Sequence, residues 1–307
     1  MKSSDIVDML KLGRFHFLFG GLLLYLLGVQ IAVVSGWKVG FWETFFGYLV
    51  LALGHLSVSY SNDYFDYRSD GFGEPTMVSG GSGVLQRRPE LRRWSLLISL
   101  LLIALSLMAG LVFYILYSPG YLFIALVIFG NLLGWFYSAP PLKLAYRKLG
   151  EVATALAVGI FVSLFGYYVA AGTVDLDFLI FAPPLLLSGV VFILNVQIPD
   201  VEADRRGGKS TLVSRIGRKK AFTAITILQF LSVLYFLTIS FAKPVELKMS
   251  FVIIGIIAMI PVTASVPYVI SKVEGKRAFT KLSTLLLGST FIYLISLNGY
   301  LMSIWAW

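Results

Sequence analysis

Two short acidic motifs, each at the end of a strongly apolar stretch, are where this chain can do chemistry. The first reads Asn62-Asp63-Tyr64-Phe65-Asp66-Tyr67-Arg68-Ser69-Asp70; the second reads Asp200-Val201-Glu202-Ala203-Asp204 and runs into Arg205-Arg206-Gly207-Gly208-Lys209-Ser210-Thr211. At about 100° per helical residue, Asp63 and Asp70 lie about 20° apart, with Asp66 about 60° to one side. Asp200 and Asp204 lie about 40° apart, while Glu202 points to the opposite face. The five aspartates can therefore form two stripes that face one another. Carboxylates so crowded repel unless a cation sits between them, and hard oxygen ligands of this kind suit Mg²⁺. The expected metal ligands are Asp63, Asp66, Asp70, Asp200 and Asp204.

A diphosphate ester is the substrate that such facing stripes serve. Its phosphates cannot approach the carboxylates without metal between them, and a bound divalent ion also stabilises a departing pyrophosphate. Lys143, Arg68 and Lys209 are the nearest cations in sequence to complete the neutralisation by donating to phosphate oxygens.

The elements that must position these groups are membrane spans. Of 307 residues, 58% are hydrophobic and 13% charged, with a mean hydropathy of +0.84. A soluble domain cannot hide that much apolar surface, so the fold class is all-α and polytopic. Nine segments are long enough to cross a bilayer, near 15–36, 41–61, 94–117, 120–139, 151–172, 177–199, 219–242, 249–271 and 282–307. With the N-terminus inside and the C-terminus outside, 22 Lys and Arg fall on inner segments and only Lys38, Lys243 and Lys248 on outer ones. That asymmetry is the positive-inside signature. It accounts for the net charge of +9 without nucleic acid.

A bilayer around the site suggests a lipid-soluble organic group on the diphosphate. There are no cysteines, so disulfides and thiolate metal sites are excluded. No cleavable signal is evident in the first apolar stretch. Residues 1–13 read as a short amphipathic helix on the inner surface. The chain reads as one membrane domain, residues 1–307. The motifs follow the second and sixth spans, which suggests a four-helix unit used twice, 15–139 and 151–271, plus a ninth helix.

The NDYFDYRSD stretch, DVEAD followed by GGKSTL, and YSAPPLK at 137–143 resemble the UbiA superfamily of intramembrane prenyltransferases. The N-D-Y-x-D-Y opening, the closing G-K-S-T-L and the run Val78-Ser79-Gly80-Gly81-Ser82-Gly83 look most like the branch that prenylates 1,4-dihydroxy-2-naphthoate in menaquinone synthesis. The chain departs from that branch at Asn195-Val196-Gln197-Ile198-Pro199-Asp200, where the branch carries paired Asn and an Arg.

The resemblance implies a nine-helix bundle whose central cavity opens to the cytoplasmic side of the cell membrane. It implies Mg²⁺-dependent transfer of a polyprenyl chain to a small acceptor. Asn62, Asp63, Asp66 and Asp70, with Asp200 and Asp204, would hold Mg²⁺ and the diphosphate. Tyr137, flanked by Trp135 and Phe136, would shield the allylic cation near Lys143, and Asn195 and Gln197 would orient the acceptor. The acceptor is a dihydroxynaphthoate-like aromatic or, as in archaeal members, a glycerol-phosphate ether lipid. For the latter, Arg87, Arg88, Arg92 and Arg93 are the candidate phosphate site. From another class, a lipid-diphosphate transporter with the same spans would move its substrate intact.

Other polar residues read more plainly. Arg147 and Lys148 mark topology, Arg205 and Arg206 are surface charges, and His16 and His55 are packing residues. Asn131 is expected to bond across helices, Trp305 and Trp307 to anchor the outer interface. The glycine run is either a linker or a cover that excludes water.

Overall fold

The computed structural model describes residues 3–73, 80–242, 248–270 and 273–305. Val78, Ser79, Lys243 and Trp307, named above, lie outside them. All regular structure among the described residues is helical. A short helix α1 (Ser3–Leu12) leads into α2 (His16–Val34) and α3 (Phe41–Phe65), and one more turn, α4 (Tyr67–Asp70), extends α3 past Asp66. Then come α5 (Arg92–Tyr117), α6 (Tyr121–Ser138) and α7 (Gly150–Ala171). The spans α8 (Ala182–Gln197), α11 (Arg218–Ala242) and α15 (Lys276–Trp305) enclose the short α9 (Val201–Gly207), α10 (Leu212–Ile216), α12 (Phe251–Ile257), α13 (Met259–Thr263) and α14 (Val266–Ile270).

Seven of these helices are long and apolar enough to cross a membrane, and an eighth if α8 and α9, bent by 82°, count as one. The stretch expected as a continuous span over 249–271 is instead broken into α12, α13 and α14. It carries Pro261 and Pro267; each removes a helical N–H and crowds the preceding turn. Bulky side chains such as Met108, Ile115 and Phe230 are exposed on the outer surface, as expected where lipid is the solvent.

Between spans the chain uses small residues and serines, because lipid gives no hydrophobic push between helices. A Cβ on Gly28 would stand 1.8 Å from the Ser163 carbonyl oxygen, and one on Gly166 only 2.1 Å from that of Tyr25. So α2 and α7 touch backbone to backbone. Three serines on α5 tie it to α3: Ser95, Ser99 and Ser106 donate to the carbonyls of Tyr60, Ser57 and Val50 at 2.7, 3.0 and 2.9 Å. This seam holds rigid the helix that carries the first acid motif.

Within α7, residues Ala155–Phe161 take π-helical hydrogen bonding, a local widening that recurs at functional sites. It lines a cavity of about 380 Å³ walled by α2, α3, α6, α7, α8 and α15. The cavity reaches from Arg14, Asn62, Tyr137 and Thr154 at one end to Leu24, Val50 and Phe165 at the other.

Candidate active site

The first motif stays helical through Asn62 and Asp63 and then kinks at Asp66, where φ is −87° and ψ 4°. The Asp66 N–H still donates to the Asn62 carbonyl at 2.8 Å, and the Asp70 N–H to that of Asp66 at 2.9 Å. The second motif begins where α8 ends; Asp200 precedes α9, and Gly208 ends it with φ +77°. That left-handed turn, open to glycine without strain, sends Lys209 back toward the first motif. The two motifs pack directly. A Cβ on Gly207 would lie 2.6 Å from that of Ser69, and one on Gly73 would lie 3.1 Å from that of Ala203.

Lys209 joins the motifs chemically. Its Nζ donates to Asp66 Oδ2 at 2.9 Å and pairs with Asp70 Oδ1 at 3.5 Å. Asp66, buried, also accepts from Ser138 Oγ at 3.0 Å and from the Tyr146 hydroxyl at 2.8 Å. Asp63, buried too, faces Arg14 Nη2 at 3.4 Å. The Ser82 N–H donates to Asp63 Oδ2 at 3.1 Å, and Ser82 Oγ donates to the same oxygen. Asp204 accepts from Thr211 Oγ1 at 2.9 Å, and Thr211 in turn caps α10. Glu202 turns away, its carboxylate held by Arg218 and pulled down to about 2 by those hydrogen bonds.

Burial dominates the electrostatics outside the spans. It pushes the Asp70 carboxyl up to about 7; Lys209 and Arg14 oppose this, and the charges of Asp66 and Asp63 add to it. Burial likewise raises Asp204 to about 6, with Lys209 and Thr211 opposing and Asp200 adding. Burial alone would lower Lys209, but Asp66 and Asp70 outweigh it and hold the ammonium well above its ordinary value.

The glycine run is folded over the acids: Gly80, Gly81 and Gly83 have φ of +76°, +67° and +67°. A Cβ on Gly81 would stand 2.3 Å from Asp70 Oδ2 and 3.5 Å from Asp63 Oδ1. Ahead of α5, Arg88 pairs with Asp5 and Asp8 of α1 at 2.6 and 3.0 Å.

The donor set fits a hard divalent cation. Beside the carboxylates, Asn62 Oδ1 is buried, accepts no hydrogen bond, and belongs to a residue on the cavity wall. Among the described residues no three His, Asp or Glu groups already surround one point; Lys209 and Arg14 neutralise the acids instead.

The remaining expected residues divide. Tyr137 lines the cavity. Lys143 is exposed, its Nζ 5.6 Å from the Tyr146 ring centre, and Arg68 is exposed. Gln197 donates to Glu151 Oε1 at 3.1 Å, while Asn195 faces α15 and donates to the Ser283 carbonyl at 3.2 Å. Trp135 packs edge-on against Phe65. Asn131 bonds across helices, donating to Ser106 Oγ at 3.1 Å.

Arg14, Tyr146 and Glu151 contact site residues from segments outside the motifs and escape the sequence reading; Ser82, Ser138 and Thr211 lie within the quoted motifs, which assigned them no role. His55, expected as a packing residue, stands on the cavity wall with Ser59. Their spacing from Asn62, three and then four residues along one helix, was the available signal.

Comparison with known proteins agrees with this geometry. The chain belongs to the UbiA prenyltransferase family, whose description matches residues 21–287. It is 25% identical over 172 residues to the 1,4-dihydroxy-2-naphthoate octaprenyltransferase of Bacillus subtilis (strain 168), a match covering 55% of this chain and 53% of that one. The chain thus spans about half the length of that relative. A solved UbiA homolog from Archaeoglobus fulgidus superposes with a TM-score of 0.68 at 16% identity, covering 98% of this chain and all of the other. The same homolog bound to DMAPP and Mg²⁺ gives 0.62 at 16% identity, over 92% and 99%.

Proposed function

We propose that this chain moves a polyprenyl group from an isoprenoid diphosphate to a hydroxylated aromatic acceptor of the dihydroxynaphthoate kind, with Mg²⁺ required and pyrophosphate released. The observation that carries the reading is Lys209, which ties both acid motifs together beside an apolar cavity. A diphosphate between the motifs would have its chain in that cavity. From Asn62 to Val50 the cavity follows α3 for about 18 Å, room for several isoprene units.

Asp63, Asp66, Asp70, Asp200 and Asp204, with Asn62, would hold Mg²⁺, which supplies charge neutralisation for the departing pyrophosphate. With Asp66 and Asp70 engaged in holding that ion, Lys209 would be free to donate to phosphate oxygens. The C–O bond breaks and its electron pair leaves with pyrophosphate. Tyr137 presents its ring to the allylic cation, and the loop over Asp63 and Asp70 keeps water out. A π-electron pair of the acceptor then forms the new C–C bond, and the acceptor loses a proton.

The reading includes nine crossings with the eighth broken, one domain, a cytoplasmic N-terminus and site, and the cell membrane as location, supported by the distribution of Lys and Arg. The aromatic acceptor is favoured over a glycerophosphate because two of the four arginines suited to a second phosphate, Arg88 and Arg92, are engaged. Arg88 is held by Asp5, Asp8 and Glu90, and Arg92 stacks on Tyr64 and Tyr67 at 4.6 and 5.1 Å. The name of the Bacillus subtilis relative points the same way.

The test is incubation of the purified protein with labelled geranyl diphosphate and a panel of aromatic and glycerophosphate acceptors, with products identified by mass. The expected result is Mg²⁺-dependent prenylation of an aromatic with equimolar pyrophosphate. Label passing only to glycerophosphate, or donor crossing vesicles with no bond broken, would overturn the reading.

A further inference from the structure

The cavity wall carries polar groups that an isoprenoid chain cannot use. His55, Ser59 and Asn62 follow one another on one face of α3, and all three line the cavity. Ser59 is 93% buried, and neither it nor His55 makes a side-chain hydrogen bond among the described residues. Facing them from α6, Asn131 is 92% buried. Its Oδ1 has no partner and lies 3.1 Å from where a Cβ of Gly54, also on the wall, would be. A fold that pairs Ser95, Ser99 and Ser106 so thoroughly has left Ser59 and His55 without side-chain partners on a cavity wall. Unpaired buried polar groups are costly, so a polar ligand belongs there.

The geometry points to the acceptor, and this inference rests on the aromatic reading above. We propose that Ser59 and His55 bind the two ring oxygens of a para-dioxygenated aromatic acceptor. One helical turn separates Ser59 from His55, about 6 Å along the axis, which is the span between two oxygens placed para on a ring. Ser59 lies about 4.5 Å below Asn62, so the ring sits directly under the diphosphate, where the allylic carbon is released. The facing wall is mainly apolar (Leu185, Phe192, Ile193, Leu287, Leu294) and takes the chain. Arg14, already paired with Asp63, is the one cation lining the cavity among the described residues. The imidazole is held in place by α2, where a Cβ on Gly21 would come within 2.7 Å of His55 Nδ1.

The experiment measures steady-state prenylation by the full chain in detergent, with geranyl diphosphate as donor. The acceptors are 1,4-dihydroxy-2-naphthoate and 1-hydroxy-2-naphthoate, which lacks the para hydroxyl. His55→Leu is expected to raise KM for the dihydroxy acceptor about tenfold, the loss of one hydrogen bond, with donor KM held within about twofold. His55→Gln is expected to recover most of this, and the monohydroxy acceptor, already poor, to lose nothing more.

Ser59→Ala, a milder change should His55→Leu melt below the assay temperature, removes the contact to the other ring oxygen and is expected to raise KM for both acceptors. Acceptor KM within about twofold of wild type in both variants, or an equal rise in donor KM, overturns the inference. Wild-type protein that prenylates no aromatic removes the functional reading and this inference together. Wild-type protein that prenylates normally, with variants indifferent, removes only the inference.

Discussion

Replacing Lys209 with Met keeps much of the side chain's bulk and deletes the charge that joins the two motifs. The ammonium is largely buried, 2.9 Å from Asp66 and 3.5 Å from Asp70. Removing one partner of a buried ion pair costs about 3–5 kcal/mol, because the other charge is left uncompensated. Ser138 and Tyr146 still bond Asp66, so the lower end, about 3 kcal/mol, is expected. At about 2 °C per kcal/mol, Tm should fall by roughly 6 °C.

Two conditions should shrink that loss. Burial pushes Asp70 up to about 7, and further without Lys209, so at pH 6 its carboxyl is largely neutral with or without the lysine and the variant loses less there than at pH 8. Mg²⁺ replaces the missing cation and should restore part of Tm. Turnover is a separate reading, since a charge-assisted hydrogen bond to phosphate is worth about 1.5–3 kcal/mol. kcat/KM should therefore fall about 10- to 100-fold even with Mg²⁺ saturating. Thermal unfolding followed by tryptophan fluorescence at both pH values, with and without Mg²⁺, and a pyrophosphate-release assay measure these terms. A variant with unchanged Tm at pH 8 without metal, and wild-type kcat/KM, would refute the account of Lys209.

Asp204→Asn should reduce pyrophosphate release at least about 100-fold, since several kcal/mol of charge stabilisation depend on a complete ligand set. Glu202→Gln, losing an exposed ion pair worth under about 1 kcal/mol, should stay within about twofold; equal damage in both would mean the assigned helical phase is wrong. Gly81→Ala must fit a Cβ 2.3 Å from Asp70 Oδ2 at φ +67°, with about 1–2 kcal/mol of left-handed strain besides. The loop should shift off the acids, and turnover should drop about tenfold; wild-type turnover would show that the loop plays no part. Asp204 and Asp70 bind protons up to about 6 and 7. Their contribution to the metal-free fold is therefore greatest at low pH and is lost as pH rises through those values, while Mg²⁺ binding displaces the same protons. Mg²⁺ should raise Tm more at pH 8 than at pH 5.5; equal shifts at both would contradict it.

Much of the arrangement follows from local pattern. The long apolar runs dictate helices, because backbone groups in lipid must bond within their own segment. Five aspartates at helical spacing beside a Gly-Lys-Ser-Thr turn are the local pattern on which the proposed metal-assisted diphosphate site rests. Glu202 was separable from Asp200 and Asp204 by phase alone, and it does turn outward to Arg218. Within the apolar run over 249–271, hydropathy alone did not show the breaks into α12, α13 and α14 that accompany Pro261 and Pro267.

Partners drawn from distant segments were beyond such reading. Tyr146, Ser138 and Lys209 reach Asp66 from 80, 72 and 143 residues away. The resemblance implied an acceptor role for Asn195, and nothing along the chain foretold that its amide donates to the Ser283 carbonyl. His55 looked isolated because the cavity it faces exists only once α2, α3, α6 and α8 are assembled. Periodicity along a chain assigns residues to a helix face. What that face meets depends on where close contacts such as Gly28 with Ser163 bring the helices together, and those contacts form between segments far apart in sequence.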